Sequence, residues 1–122
     1  MKSISLQIAA AIVALALGIP LTFIPLKWAR AIGWNFPTDV SLAKYFARCL
    51  GVVALALCGM AIYASLHPEV ANFICVAVAL TMLAISLVHV VGWVEKSQPL
   101  FESVEIGIYA LGGGYFLWLA LQ

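Results

Sequence analysis

Polar positions in this chain come in short clusters separated by long apolar tracts. The tracts cover about residues 4–24, 39–66, 70–94 and 99–121, each at or above the roughly 20 residues that carry a helix across the hydrocarbon of a bilayer. The pattern predicts four spanning helices. Pro20 and Pro25 should bend and then end the first, because proline lacks an amide donor and crowds the preceding turn. Residues 26–36 mix Lys27 and Arg30 with Trp28, Ile32, Trp34 and Phe36, which suits the headgroup boundary. A short interfacial helix is expected there, with Trp28 and Ile32 on one face. Thr38 or Asp39 can cap the second span, and Pro37 discourages helix ahead of it. The turns around residues 67–69 and 95–98 are too short to join anything but antiparallel neighbours, and Pro99 is favourable in the first turn of the last span. The expected fold is all-α, a single-domain integral membrane four-helix bundle made of two antiparallel hairpins.

Composition supports the pattern and removes alternatives. With 66% hydrophobic and 9% charged residues, and a mean hydropathy of +1.13, the chain lies far from the quarter-charged balance of soluble domains. The opening residues up to Leu21 resemble a secretory signal, but the apolar run continues to Ile24 with no small-residue cleavage site, so a retained first helix is expected. A formal net charge of +1 offers no concentrated positive face, and no nucleic acid partner is expected. Cys49, Cys58 and Cys75 lie in apolar tracts without a CxxC or metal-ligand spacing and are expected to pack as small apolar residues.

Charge also sets an orientation. With four spans, the loops after the first and third share one side, which collects Lys27, Arg30, Lys44, Arg48 and Lys96, whereas the other side holds both termini and only Lys2. The positive-inside rule places the basic loops in the cytoplasm and both termini outside it. Trp28, Trp34, Trp93, Tyr45 and Trp118 fall near the span ends as an aromatic belt.

Candidate chemistry is confined to the basic half. At about 1.5 Å per helical residue, Arg48, His89 and Glu105 lie roughly 9–14 Å along three different helices from that side. Glu102, Glu105 and Tyr109 share a stripe on the last span; Met82, Ser86, His89 and Trp93 share one on the third; Arg48, Gly51, Leu55 and Gly59 share one on the second. Ionisable groups facing lipid are costly, so these stripes should face inward. Two roles are open for the set Arg48, His89, Glu105, Glu102, Tyr109 and Trp93. One is structural, with Arg48 pairing with Glu105, His89 bridging, and the second span pinned to the fourth. The other is a small ligand site or proton-responsive cluster. Glu102 carries less weight, since a first-turn carboxylate is stabilised by the helix dipole.

Other chemistries are weakly supported. His67 and His89 lie on opposite sides and cannot share a haem. No metal or other cofactor is expected, because His89, Glu102 and Glu105 form no tight ligand motif and face a competing arginine. Ser86, the one hydroxyl near His89, is expected to bond to the helix backbone rather than act as a nucleophile. Ala47 with Gly51, Ala54 with Cys58 and Ala110 with Gly114 should permit close helix approach, and the run Gly112 to Gly114 should pack tightly or admit a flat apolar ligand.

The entry to the second span, ARCLGVVALALCGM with Arg48, Gly51 and Gly59, followed by further short spans, resembles the small bacterial four-helix membrane proteins of the DoxX-like kind. That resemblance implies a compact bundle in a bacterial inner membrane and supplies no catalytic residues. Small multidrug transporters also have four helices, but their acidic residue lies in the first, which here has none. The expected function is therefore non-enzymatic: an accessory subunit or a binder of a small hydrophobic ligand. Its partners would be the bilayer, another membrane protein or further copies of itself. The alternative is a small oligomeric proton-coupled transporter using Glu105 or His89.

Overall fold

The computed structural model describes residues 1–36 and 39–122, and among these the chain is helical with no strand. Four helices are long and apolar enough to cross a membrane. Helix α1 spans Lys2–Phe23 and contains a π turn at Ala14–Gly18. That wider turn sits just ahead of Pro20 and loosens the ladder that the proline ring and its missing amide would otherwise disrupt. Ile24 leaves helical geometry at φ −131° and ψ 44°, as a residue before proline tends to, and Pro25 then opens the short helix α2, Pro25–Ala31. Gly33, at φ +98°, turns the chain in a conformation that only glycine adopts readily.

Helix α3 is Ser41–Leu66. Asp39 holds its start, with one carboxylate oxygen accepting the Ser41 amide at 3.1 Å and the Ser41 hydroxyl at 2.6 Å. These bonds hold the exposed Asp39 carboxyl below its ordinary range. The expected contributions of Pro37 and Thr38 lie outside the described residues. Helix α4, Pro68–Val94, begins two residues earlier than the hydropathy suggests because Pro68 occupies the first turn. Helix α5, Leu100–Ala120, is flanked by Pro99 at φ −64° and ψ 157°. Pro99 is thus the extended residue before the helix rather than a member of its first turn.

Two antiparallel pairs result, α1 against α3 and α4 against α5. Small residues set both contacts: a Cβ added at Gly51 would lie 2.6 Å from the Thr22 amide nitrogen, and one at Gly113 would lie 2.7 Å from Leu83 Cγ. The pairs meet most closely at the end that carries the termini, where Leu6, Cys75 and Leu119 are fully buried with Ala64 and Phe116 around them. Polar side chains stitch that end. Ser3 donates to the Ser65 carbonyl at 2.7 Å, the Ser5 and Tyr115 hydroxyls share a bond at 2.7 Å, and Lys2 donates to Asn72. At the other end the α2–α3 and α4–α5 loops touch through Gly33 and Pro99.

Candidate functional site

The chemistry-bearing residues of the α4–α5 pair converge where that pair meets the Gly33–Asn35 segment. His89 lies near the end of α4, while Glu102, Glu105 and Tyr109 recur at three and four residues along the start of α5 and so share one face. The imidazole sits between the two acids: Nδ1 is 3.4 Å from a Glu102 oxygen, and Nε2 is 3.6 Å from a Glu105 oxygen. All three side chains are largely buried, with 13%, 12% and 15% exposure for His89, Glu102 and Glu105. The Tyr109 ring stacks on the imidazole, with centroids 5.5 Å apart and planes inclined by 7°. One ligand-capable atom from each of His89, Glu102 and Glu105 lies within 4.8 Å of the others.

Neutral groups from two loops orient this trio. The Trp34 indole N–H donates to Glu102 at 2.9 Å. The Gln98 carboxamide donates its N–H to Ser103 Oγ at 3.3 Å, which turns its oxygen toward His89 Nδ1 at 3.4 Å. That oxygen can only accept, and with carboxylate oxygens of Glu102 and Glu105 beside Nδ1 and Nε2, both edges of the imidazole face acceptors. Gln98 lies over Gly92, where an added Cβ would collide with its oxygen. Trp34 and Gln98, with Gly33, Asn35, Lys96, Ser97 and Pro99, also line a recess of about 300 Å³ at the loop end. The trio is thus one side chain away from that recess. Beyond it, toward the termini, Met82 and Leu83 pack onto Gly112 and Gly113, and Ala79 and Phe116 are buried, so the interior between α4 and α5 is filled.

Several sequence expectations change here. Arg48 was expected to face inward and pair with Glu105, but it is exposed and, among the described residues, forms no ion pair. The reason is the partnering of helices: α3 turns its Gly51 and Leu55 face to Thr22 and Gly18 of α1 and does not pack along α5, which carries Glu105. Trp93 is 60% exposed and lies outside the trio. Glu102, given less weight than Glu105, contacts both His89 and Trp34. Ser86 donates to the Ile106 carbonyl of the neighbouring helix at 3.0 Å, not to its own helix. Gly112 and Gly113 make the close approach, whereas Gly59 and Gly114 face open space. Trp34 and Gln98 were not recognised as site residues, since an indole near a span end suggests an interface anchor and a glutamine in a turn suggests solvent.

His67 lies at the opposite end, 3.0 Å from Glu69 and stacked on Tyr63. Cys49, Cys58 and Cys75 are all free thiols. No protein-family model matches the chain, and neither a curated protein nor a solved structure matches it.

Two carboxylates facing one imidazole, with no Lys or Arg within ion-pair distance among the described residues, form an acceptor-rich site. Such a site needs compensating positive charge when it is shielded from water. A proton or a bound cation can supply it.

Proposed function

We propose that the chain is a small non-enzymatic integral membrane protein, an accessory subunit built around a one-sided, cation-accepting site at His89, Glu102 and Glu105. The DoxX-like resemblance and a bacterial inner-membrane location belong to this reading. So does the orientation with both termini outside the cytoplasm, which the basic residues of the loop side support. The observation that carries it is the uncompensated acid–imidazole–acid trio, joined to the loop-side recess through Trp34 and Gln98 and closed toward the termini by Met82 and Leu83.

The closed interior favours binding over passage. A transporter needs access from both faces, and an oligomer of this chain would have to open the Leu83–Gly113 contact to provide it. Two measurements separate the readings. Infrared difference spectra between acid and alkaline pH should contain carboxyl bands that disappear in the Glu102→Gln/Glu105→Gln variant. Vesicles containing the protein and a trapped pH dye should show no potential-driven proton flux above protein-free vesicles. Flux that is lost in Glu105→Gln would replace the accessory reading with transport. Spectra identical in wild type and variant would overturn the cation-accepting site.

A further inference from the structure

We infer that the trio is a binding site for a divalent first-row transition ion, with His89 Nε2 and one carboxylate oxygen each from Glu102 and Glu105 as its protein ligands. This rests on the proposed one-sided cation site and names the cation. The donor set decides the class: one imidazole with two carboxylates suits borderline ions of the Mn²⁺, Fe²⁺, Co²⁺ and Zn²⁺ group. The all-oxygen cages preferred by Ca²⁺ and Mg²⁺ offer no place for an imidazole. Three protein ligands leave at least one coordination position for a water, and the recess that Trp34 and Gln98 line is one side chain away.

The surrounding groups add an independent line of support. A ligating histidine usually has its other ring nitrogen held by a hydrogen-bond acceptor, and ligating carboxylates are themselves hydrogen-bonded. Here the Gln98 oxygen lies 3.4 Å from Nδ1, and the Trp34 indole occupies one Glu102 oxygen at 2.9 Å. Both supports are neutral. A lysine or arginine in either place would compete with a metal ion for the acids, and the arginine that sequence spacing suggested for that role, Arg48, is exposed and without an ion pair among the described residues. Bonds of about 2.0–2.2 Å bring ligand atoms to roughly 3–3.5 Å from one another. The 4.8 Å grouping therefore closes on the ion by about 1–2 Å, chiefly by turning the free Glu102 oxygen from the Nδ1 edge of the ring toward Nε2.

Co²⁺ titration of the chelator-stripped, detergent-purified protein tests the assignment. The expected result is one Co²⁺ per chain with visible d–d absorption, displaced by Zn²⁺ and absent from Glu102→Gln/Glu105→Gln. Glu69→Gln, which removes the acid of the other His–Glu pair, should leave it unchanged. Gln98→Leu should weaken Co²⁺ binding by about 10–100-fold. Circular dichroism of each stripped variant shows whether it is folded, and the wild-type titration needs no variant. If folded wild type binds no Co²⁺, or the absorption persists in Glu102→Gln/Glu105→Gln, the metal assignment is overturned. If wild type binds no Co²⁺ while the carboxyl infrared bands still depend on Glu102 and Glu105, the cation-accepting site stands with the proton as its cation.

Discussion

Replacing Trp34 with phenylalanine removes the indole N–H together with two carbons while keeping an aromatic ring at the loop. Its consequence follows from the 2.9 Å bond to Glu102, whose side chain is 12% exposed. A hydrogen bond to a charged group contributes about 1.5–3 kcal/mol, and one to a neutral partner about 0.5–1.5. Water in the adjoining recess can replace part of what is lost, so the expected destabilisation of Trp34→Phe is about 1–2 kcal/mol, or roughly 5–30-fold in the unfolding constant. A double-mutant cycle isolates the pair from the rest of the indole. Glu102→Met removes the acceptor at similar size, whereas glutamine would still accept. The four proteins would be compared by reversible unfolding in mixed detergent and dodecyl sulfate micelles. The coupling between positions 34 and 102 should be about 1 kcal/mol or more, within the range found for residues in direct contact. A coupling indistinguishable from zero would mean that the loop does not hold Glu102, and the link between recess and trio would fail with it.

Two further outcomes follow from the same geometry. Gly51→Ala should destabilise the α1–α3 pair by about 1–3 kcal/mol, because the new Cβ would meet Thr22 and Gly18 backbone atoms at 2.6 and 2.9 Å. Gly59→Ala, with open space around it, should be neutral or up to about 1 kcal/mol more stable; equal effects in the same unfolding assay would refute the packing account. Asp39 has its carboxyl held below the ordinary value by Ser41, so its support of the α3 start is present above that value and is lost as pH falls through the lowered one. The protection factor of the Ser41 amide should therefore fall in acid relative to its neutral-pH value, and Asp39→Ala should show low protection at every pH.

The helices were legible because they depend on quantities that a linear sequence carries directly. Apolar tract length, the placement of Pro25 and Pro68, and the short turns located the four long helices to within a few residues. Depth was legible for His89 and Glu105, which do lie together near the loop end, whereas Glu102, read as a first-turn carboxylate stabilised by the helix dipole, joins them and Arg48 does not. Partnering was not. In a chain this apolar, every helix face is oily, and hydropathy cannot say which of two neighbours a given stripe faces. Arg48 shares the depth of Glu105 and sits three residues before Gly51, yet Gly51 serves the contact with α1, and the 60° turn between the two positions leaves the guanidinium exposed. The π turn at Ala14–Gly18 also escaped notice, since no residue type marks it and its only sequence correlate is Pro20 just beyond.

That difference in partnering changes the chemistry of the site. Had Arg48 reached Glu105, a fork-shaped cation would satisfy the acid and the cluster would be a clamp between helices, stable and inert. With α3 committed to α1, the groups around the acids are the His89 imidazole, the Trp34 indole N–H and the Tyr109 phenol, and among the described residues no lysine or arginine lies within ion-pair distance of them. Such a set is electrostatically incomplete in a way that a structural clamp is not. On the proposed reading its missing charge comes from a proton or a bound cation, and the Trp34–Gln98 recess adjoins it at the loop end. The two supports of the trio come from different parts of the chain: Gln98 from the α4–α5 turn, and Trp34 from the segment that follows α2. If the proposed cation draws Glu102 toward Nε2, it should pull on Trp34, which lies in the segment between α2 and α3. On the proposed reading, occupancy at a site built by one helix pair would be felt by the other through the Trp34–Glu102 bond.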